Sequence, residues 1–522
     1  MAASELDYFR AIIQANMEPL VKVTEVSELT SLEAKLGSKI WLKREDQQPV
    51  YSFKLRGAYN KLSKLPTGSK VITASAGNHA QGVALSATEL GHQATIVMPL
   101  TTPQIKVDAV RNFGGEVVLH GHHFDAAKEH ALILAEQQNA VFVPPFDDPD
   151  VIVGQGTIAR ELMQQLPELD VVFIPVGGGG LLAGMAVYIK SLRPDIRVIG
   201  VEAEESACLQ AAMAAGKPVE LERVGSFADG VAVKIIGTET FRLAQQFCDD
   251  VITVSGDEIC AAVQDIFVST RAVAEPSGAL SLAGLKKWVQ QTGEKGLNLA
   301  AVLSGANLNF DRLRHVAERT ALGEKNEALL AVTIKEEKGS FKRFCQSLGG
   351  RAITEFNYRY AGPGEAQIFV GIGLRQGASE LTELLAELDQ QGYDYVDMSD
   401  NELAKLHVRY MVGGKPSEQL EERLLRFEFP EYPGALARFL DTLGSKWNIS
   451  LFHYRNHGAA TGNVLAAFEV SASDEPAFSQ HLERLGYQYI DETANPCYQQ
   501  FLAHGQAGSA KLETGKMKEA CI

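Results

Sequence analysis

The chain has little of what marks membrane, secreted or nucleic-acid-binding proteins. No apolar run approaches the roughly 20 residues that a bilayer-spanning helix needs. The amino terminus carries Glu5 and Asp7 and lacks the apolar core of a secretory signal. The formal net charge is −16, whereas a nucleic-acid partner calls for a basic face. We therefore expect a cytoplasmic protein with no membrane or nucleic-acid partner.

Cysteine is also scarce, which limits the metal and disulfide chemistry. The six cysteines show no paired spacing; they are Cys208, Cys248, Cys260, Cys345, Cys497 and Cys521. This pattern argues against a thiolate zinc site and a disulfide framework, and it favours a reducing compartment. His120, His122 and His123 follow a predicted strand and lack an acidic partner in frame. We interpret them as a polar loop and expect no metal site.

The first part of the chain repeats one plan, in which an apolar run stops at a glycine-bearing loop and a helical pattern follows. The three copies are residues 71–82, 171–181 and 300–307. Further strand-like runs at 94–98, 116–119 and 198–201 alternate with helical stretches at 157–165 and 182–192. Alternating apolar strands and helices predict an α/β fold with parallel sheets covered on both faces. Ligands bind such sheets beyond the carboxyl ends of the strands, where all three loops fall.

The loop Gly177, Gly178, Gly179 and Gly180 has no side chains to keep a ligand away. Its N–H groups, followed by a helix that begins near Leu181, predict an anion site that suits a phosphate. The loop matches neither the P-loop pattern nor the strict dinucleotide pattern. The alternative is a flexible turn.

Two other loops offer hydrogen-bonding groups. The segment from Ser75 to Gly82 supplies hydroxyl, amide, imidazole and main-chain donors at a helix start, which suits a carboxylate or a ring oxygen. Ser304 supplies a neutral hydroxyl at the end of a strand. For Ser75, Asn78 and Ser304 alike, the alternative is simple helix capping.

Lys54 follows Phe53 shortly after a strand predicted at 40–43 and a polar turn at 44–48. A lysine kept partly dry has a lowered pKa and becomes a nucleophilic amine that can form a Schiff base. The alternative is a surface lysine whose stem lies along apolar surface at the start of a helix.

Four motifs in this order resemble those of the serine/threonine dehydratases, pyridoxal-phosphate enzymes of fold type II (the tryptophan synthase β-like group). They are Ser-Phe-Lys-Leu-Arg-Gly-Ala at 52–58, Ser-Ala-Gly-Asn-His-Ala-Gln-Gly at 75–82, the tetraglycine at 177–180 and Ser-Gly-Ala-Asn at 304–307. The resemblance spans residues 10–320. It implies that pyridoxal 5′-phosphate is the cofactor.

The resemblance also implies roles for individual residues. The implied cofactor-binding residues are Lys54, Phe53, Asn78, Gly177, Gly178, Gly179, Gly180, Leu181 and Ser304. Among them Lys54 forms the Schiff base, Asn78 bonds the ring oxygen, and Ser304 is the partner of the pyridine nitrogen. The implied substrate-carboxylate residues are Ser75, Gly77 and His79. Glu275 borders the substrate, and Asp229 lies in a family loop without an assigned role.

The implied reaction is β-elimination. The substrate amine displaces Lys54, whose freed amine removes the α-proton. The β-hydroxyl leaves, protonated through the cofactor phosphate, and hydrolysis yields a 2-oxo acid and ammonia. The hydroxyl of Ser304 makes the ring a weaker electron sink than a carboxylate would, which favours elimination over transamination.

The last third contains an internal repeat at a spacing of about 95 residues. Paired segments are 329–334 with 424–429, 356–359 with 452–455, 368–370 with 464–466, and 392–397 with 486–491. Helical apolar patterns fall at Phe341, Phe344, Cys345 and Leu348, and at Leu436, Phe439, Leu440 and Leu443. The order β-α-β-β-α-β, twice, predicts two ferredoxin-like α+β units whose sheets pair.

This third resembles the tandem ACT-like regulatory domains of biosynthetic threonine dehydratases. That family senses isoleucine, with valine acting oppositely, and its regulated members are often homotetramers. Tyr358 and Tyr454 occupy equivalent strand positions, each followed by arginine. They are either effector-binding residues or aromatic core residues.

We therefore expect a catalytic domain at 1–321, a linker at 322–327, regulatory subdomains at 328–410 and 423–498 joined by a linker at 411–422, and a disordered tail at 499–522. The expected activity is deamination of L-threonine, with L-serine as an alternative substrate, to the 2-oxo acid and ammonia. For threonine this is the first step of isoleucine biosynthesis, inhibited by isoleucine and opposed by valine. The alternatives are a serine racemase, a β-replacement enzyme, and a non-catalytic amino-acid sensor.

Overall fold

The computed structural model describes residues 4–503, except 226, 311, 361–363, 407, 412–419, 431–435, 437–438, 442–445, 456–460, 486, 496–497 and 499–501. The chain divides into two compact units, Met1–Gly323 and Glu324–Ile522. Of the tail predicted to be disordered, all but Leu502 and Ala503 lies outside the described residues.

The first unit contains two sheets. Its strands are β1 (Val26–Glu28), β2 (Lys39–Arg44), β3 (Lys70–Ala74), β4 (Gln93–Met98), β5 (Glu116–Leu119), β6 (Val141–Phe142), β7 (Val171–Pro175), β8 (Arg197–Ala203), β9 (Asp250–Val254) and β10 (Asn298–Leu303). The strand order is β1-β2-β10-β7-β8-β9 in the larger sheet and β5-β4-β3-β6 in the smaller. All neighbours are parallel except β1 and β2.

Helices cover these sheets. They are α1 (Glu5–Gln14), α2 (Thr30–Leu36), α3 (Lys54–Leu62), α4 (Asn78–Leu90), α5 (Gln104–Asn112), α6 (Phe124–Gln138), α7 (Pro149–Gln165), α8 (Gly180–Leu192), α9 (Cys208–Ala215), α10 (Thr238–Phe247), α11 (Gly256–Thr270), α12 (Pro276–Thr292) and α13 (Arg312–Gly323).

Strand β7 shows why the sheet needs helices on both faces. All of its residues are buried. Val172 and Ile174 join one apolar core, whereas Val171 and Phe173 join the core on the other face. Side chains alternate across a strand, so a continuously apolar strand must be covered twice. The predicted parallel α/β arrangement is confirmed.

Helix α7 begins earlier than the helical stretch predicted from residue 157. Asp148 precedes its first turn, and its carboxylate accepts hydrogen bonds from the N–H groups of Asp150 and Val151. Pro149 stands at the first helical position, where a missing N–H costs nothing. These capping residues extend the helix toward the site described below.

The second unit contains one sheet. Its strands are β11 (Glu327–Lys335), β12 (Ile353–Arg359), β13 (Glu365–Gly373), β14 (Asp394–Asp397), β15 (Glu422–Pro430), β16 (Asn448–Arg455), β17 (Thr461–Glu469) and β18 (Gln488–Asp491). Its helices include α14 (Ser340–Ser347), α15 (Ala378–Gln390), α16 (Glu402–Leu406) and α17 (Glu475–Leu485). The strand order is β14-β11-β13-β12-β16-β17-β15-β18.

The two halves of this sheet are the two predicted repeats. The first follows the order β-α-β-β-α-β through β14. The repeats join edge to edge where β12 pairs antiparallel with β16, placing Phe356 opposite Tyr454 and Tyr358 opposite Phe452. In the second repeat, Leu436, Phe439 and Leu440 of the predicted first helix are buried, whereas Leu443 lies outside the described residues. Joining the edges gives the two repeats one continuous core.

Candidate active site

The site lies in the first unit, where loops leave the carboxyl ends of β3, β7 and β10. The segment before α3 is tied to the loop after β10, because Ser52 forms a β-bridge with Gly305. The N–H of Phe53 also donates to the Ser304 carbonyl at 3.0 Å. Lys54 is therefore held beside the Ser-Gly-Ala-Asn motif, although residues 54 and 304 are far apart in sequence.

Lys54 is the first residue of α3, and its side chain is turned inward. Its Nζ donates to the Pro145 carbonyl at 2.8 Å and lies 5.2 Å from the centre of the Phe53 ring. Burial lowers the pKa of Lys54 to about 8, because no carboxylate offsets the cost of desolvating the ammonium. Roughly a tenth of this lysine is therefore free amine at pH 7, against less than about 0.1% for a lysine with an ordinary pKa, and the free amine is the form that a Schiff-base nucleophile requires.

The tetraglycine loop is shaped as an anion cradle. The Gly178 carbonyl accepts a hydrogen bond from Thr240 Oγ1 at 2.7 Å, and the Gly177 carbonyl accepts one from Cys208 Sγ at 3.4 Å. Among the described residues no main-chain acceptor faces the N–H groups of Gly177 to Gly180. These groups precede the first turn of α8 and leave a site for an anion at the positive end of its dipole.

Glycine is required in this loop by its neighbours. A Cβ on Gly178 would lie 2.2 Å from the Phe146 ring, and one on Gly177 would lie 2.9 Å from Val231 Cα. Gly179 has a φ of +87°, which favours glycine. Leu181, at the second position of α8, is buried in the core beneath the loop.

Asn78 is the first residue of α4, and its amide makes two hydrogen bonds. Its Nδ2 donates to Glu275 Oε1 at 2.7 Å, and its Oδ1 accepts from Asn307 Nδ2 at 2.8 Å. Helix α4 has no side-chain cap, so neither Ser75 nor Asn78 caps it. The nearby Ser304 is buried, and its Oγ donates to the Ser277 carbonyl at 3.3 Å.

The three residues expected to hold a substrate carboxylate lie together at the start of α4. The N–H of Gly77 donates to Ser75 Oγ at 3.2 Å. His79 Nε2 is 3.0 Å from the Val143 carbonyl, which can only accept, so Nε2 carries the hydrogen. Burial and the neighbouring Lys54 charge lower the pKa of His79 to about 3. The neutral imidazole thus has no further N–H to offer, and only the main-chain N–H of His79 can bind a carboxylate.

Asp229 and Glu275 lie at the same edge of the sheet. Burial, together with the Asp229 charge, raises the pKa of Glu275 to about 7. Asp229 itself forms ion pairs with Lys106 at 2.9 Å and with Arg312 at 3.4 Å. Lys106 belongs to α5, which packs beside β5 of the smaller sheet, so this ion pair joins Asp229 to the part of the unit built on that sheet.

The two tyrosines of the second unit lie in its core. The Tyr358 hydroxyl donates to Glu336 Oε1 at 2.5 Å, while Glu336 Oε2 is buried without a partner among the described residues. Glu336 and Tyr358 line a small pocket beside the start of α14, with Trp447 and Asn448 of the second repeat on the opposite side.

Sequence reasoning missed several of these residues. Pro145 and Phe146 belong to a Val-Pro-Pro-Phe segment after β6 whose contacts connect positions far apart in the chain. Asn307 stood inside a recognised motif without a role, and Glu336 carried no signal at all. Among the described residues, no three His, Cys, Asp or Glu side chains lie close enough together to hold a metal ion.

Comparisons with known proteins identify the family of this chain. Residues 17–305 match the family described as pyridoxal-phosphate dependent enzyme, and residues 318–408 and 413–502 match the C-terminal regulatory domain of threonine dehydratase. The L-threonine dehydratase biosynthetic IlvA of Escherichia coli (strain K12) is 60% identical over 500 residues, spanning 95% of this chain and 97% of the relative.

Solved structures resemble the chain as well. The processed form of threonine deaminase isoform 2 from Solanum lycopersicum is 45% identical with a TM-score of 0.60, covering 61% of this chain and 88% of that chain. Maize serine racemase is 31% identical with a TM-score of 0.57, covering 61% and 97%.

The matched regions define a pyridoxal-phosphate-dependent enzyme with a regulatory extension. The chain belongs to the biosynthetic threonine dehydratase family. The predicted family, the catalytic fold with its regulatory domains, and pyridoxal phosphate as the cofactor are thereby confirmed. In the part of the chain that the structure describes, every helix is too short or too polar to cross a membrane.

Proposed function

We propose that this protein converts L-threonine into 2-oxobutanoate and ammonia, with L-serine as a second possible substrate. One observation carries the proposal: a half-buried lysine, whose pKa is lowered to about 8 by desolvation, lies at the carboxyl edge of the sheet that also bears the anion cradle. The relatives described above are a threonine dehydratase and a threonine deaminase, and this supports threonine as the substrate.

The residues present suit pyridoxal phosphate. The N–H groups from Gly177 to Leu181 would hold its phosphate. The carbonyls of Gly177 and Gly178 accept hydrogen bonds from Cys208 and Thr240, so these acceptors are turned toward those side chains and not toward the phosphate. Asn78 would bond the ring oxygen, Ser304 the pyridine nitrogen, and Phe53 would border the ring. The bound cofactor supplies an electron sink for the bond that breaks at the α-carbon.

The chain supplies orientation and proton transfer. Main-chain N–H groups at the start of α4, beside Ser75, Gly77 and His79, would hold the substrate carboxylate at the positive end of the helix dipole. Lys54 Nζ then takes the α-proton, since its lowered pKa leaves a free amine to act as the base. The hydroxyl of Ser304 brings no negative charge to the ring nitrogen, which favours elimination over transamination.

Incubation with L-threonine tests this function. We expect 2-oxobutanoate and ammonia in equal amounts, detected by ketoacid chromatography and an ammonia assay. Racemisation of L-serine without ammonia would favour a serine racemase, and a product containing an added thiol would favour a β-replacement enzyme. Cofactor binding without turnover of any amino acid would indicate a sensor.

We extend the proposal to regulation: isoleucine inhibits by binding the second unit, and valine opposes it. Glu336 Oε2 is a buried acceptor without a partner among the described residues, which suits an ammonium group. The Ser340 N–H that begins α14 already donates to the Glu337 carbonyl at 3.0 Å. The next residues, Phe341 and Lys342, line the same pocket, and their N–H groups suit a carboxylate. An effector acts only through its differential affinity for two arrangements of the enzyme.

Two variants test the effector site. Tyr358→Phe removes the hydrogen bond to Glu336. Tyr454→Phe replaces tyrosine with phenylalanine at the equivalent position of the second repeat. A hydrogen bond to a charged group is worth about 1.5–3 kcal/mol. Because this bond holds Glu336 in the position proposed to receive the ammonium group, we expect the isoleucine concentration for half-inhibition to rise about tenfold or more in Tyr358→Phe. Unchanged inhibition by isoleucine would contradict the assignment of Tyr358.

Removal of the second unit tests regulation more broadly. The two units have separate apolar cores, so the fragment 1–323 is expected to fold and remain active. Its turnover should show no response to isoleucine, and a full inhibition curve in the fragment would contradict the proposal.

The homotetramer and the cytoplasmic location rest on family analogy. Sedimentation velocity would test the homotetramer, and cell fractionation would test the location.

A further inference from the structure

Three polar side chains from different parts of the first unit converge behind the candidate cofactor site. Asn78 begins α4, Glu275 immediately precedes α12, and Asn307 follows β10. Asn78 contacts the other two at 2.7 and 2.8 Å, and Asn307 Nδ2 also donates to the Val50 carbonyl at 2.8 Å. These contacts form one chain of hydrogen bonds from Val50 to Glu275.

This chain determines which way each amide faces. The Val50 carbonyl can only accept, so the atom of Asn307 that faces it must be Nδ2. The second hydrogen of that nitrogen then requires an acceptor on Asn78, which is Oδ1. Asn78 Nδ2 consequently faces Glu275 Oε1 and donates one of its two hydrogens there. Within the described part of the chain its other hydrogen has no acceptor.

Close packing keeps the arrangement in place. A Cβ on Gly305 would lie 2.6 Å from Glu275 Oε1 and 3.2 Å from Asn78 Nδ2. The Glu275 N–H donates to the Gly305 carbonyl at 3.2 Å, and Glu275 is only 5% exposed. A buried carboxyl in so tight a site has no other position to move to.

We propose that Glu275 and Asn307 are positioning residues, which orient the Asn78 amide so that its remaining N–H is the donor available to the ring oxygen of pyridoxal phosphate. This inference rests on the proposed role of Asn78 in holding the cofactor. Glu275 and Asn307 act through Asn78 and are not themselves catalytic. Without these two neighbours the Asn78 amide could face either way.

The test uses the pH midpoint of the visible absorption band of the holoenzyme, with the cofactor concentration that half-saturates the apoprotein as a second readout. Asn78→Ala removes the donor and defines the reference shift. Glu275→Leu and Asn307→Leu remove hydrogen-bonding groups at similar size. Glu275→Gln keeps an acceptor oxygen and is the matched control.

We expect Glu275→Leu and Asn307→Leu to move the midpoint in the same direction as Asn78→Ala, by about half a unit to one unit, the size of one hydrogen bond. Glu275→Gln should remain close to the wild type. In the Asn78→Ala background, neither leucine variant should add a further shift, because no amide remains to be oriented.

The possible outcomes separate the two layers of the proposal. If Glu275→Leu moves the midpoint equally in the wild-type and Asn78→Ala backgrounds, Glu275 acts independently of Asn78 and the inference is wrong. If Asn78→Ala alone leaves the midpoint unchanged, the role of Asn78 in the proposed function fails first, and the inference with it. If Glu275→Leu cannot bind the cofactor, the test rests on Asn307→Leu, which removes the other hydrogen-bond partner of the Asn78 amide. An unchanged absorption midpoint in Asn307→Leu would then overturn the inference.

Discussion

Lys43 and Lys54 both lie inside the first unit, yet their surroundings differ in kind. Lys43 Nζ donates to the Thr24 carbonyl at 2.9 Å, to Glu161 Oε2 at 2.7 Å and to Gln165 Oε1 at 2.9 Å. Lys54 Nζ has, among the described residues, one acceptor, the Pro145 carbonyl. Burial lowers the pKa of both lysines, but the Glu161 carboxylate opposes the shift for Lys43 alone.

The difference extends to the regions around the two lysines. Lys43 belongs to a buried network in which Arg56 bonds Glu45 and Glu161 through four contacts of 2.6–2.9 Å. Burial opposes the charge on Arg56, but the two carboxylates outweigh it and raise its pKa. At Lys54 the acceptor among the described residues is the neutral Pro145 carbonyl. Neighbouring carboxylates favour the charged form of a lysine, which supports the fold, whereas a lysine beside neutral groups gives up its proton more readily and can react.

Lys54→Ala is expected to have the largest effect on activity. We expect turnover of threonine to fall at least about 10³-fold, because proton transfer by a positioned side chain contributes on the order of 10²–10⁴-fold by itself. Cofactor affinity should be partly retained, since the tetraglycine loop, Asn78 and Ser304 are unchanged. Ammonia release and equilibrium dialysis of the cofactor measure the two effects. Ammonia release at the wild-type rate would refute the assignment of Lys54.

Arg56→Met tests the other region. The change leaves Glu45 and Glu161 buried without their main counter-charge, and breaking a buried pair in this way costs about 3–5 kcal/mol. We expect a large fall in the urea midpoint of the first unit, followed by tryptophan fluorescence. Arg56 is two residues from Lys54, so the cofactor spectrum of the folded variant is the control for local distortion. An unchanged midpoint would show that the network contributes nothing net to stability.

These two regions were not equally readable from the sequence. The strands and the three loops could be predicted because each has a local signature, an apolar run or a glycine cluster. The stretch around Lys54 alone left a surface lysine open, and its proposed role came from the order of the four motifs. The network around Arg56 could not, because Glu161 is 105 positions away in the chain and only folding brings it near. Arg56 stood in a recognised motif, but the motif does not show which carboxylates it meets.

The site was predictable to the same limited extent. Asn78 and Ser304 could be assigned through motifs, whereas the hydrogen bonds that orient Asn78 depend on a loop, a helix start and Val50 meeting in space. His79 shows a further limit: the motif placed it at the carboxylate site, but only the contact with Val143 reveals that its imidazole has no N–H to offer. In the second unit the repeat was visible, but the contact between Tyr358 and Glu336 was not.

The pH dependence of Lys54 reactivity tests whether its pKa is lowered as its surroundings predict. An ordinary lysine has a pKa near 10.4, whereas that of Lys54 is lowered to about 8. The free amine is the reactive form, so reactivity of Lys54 should rise with pH through about 8 and level off above it. Carbon-13 reductive methylation of the apoprotein and an NMR titration, with the Lys54 signal assigned from its absence in Lys54→Arg, measure the midpoint. A midpoint near 10 would mean that Lys54 is not desolvated.

The smallest effect is expected from Lys64→Met. This variant tests whether the distance between two charges or their burial decides how much an ion pair stabilises the protein. Lys64 contacts Asp150 as closely as Arg56 contacts its carboxylates, but the two side chains are 47% and 37% exposed. Water already solvates both charges there, so the pair contributes only about 0–1 kcal/mol. We expect the urea midpoint to remain close to that of the wild type, and raising the salt concentration to leave the difference between variant and wild type small. A loss comparable with that of Arg56→Met would show that the distance between charges, rather than their burial, decides which ion pairs hold this protein together.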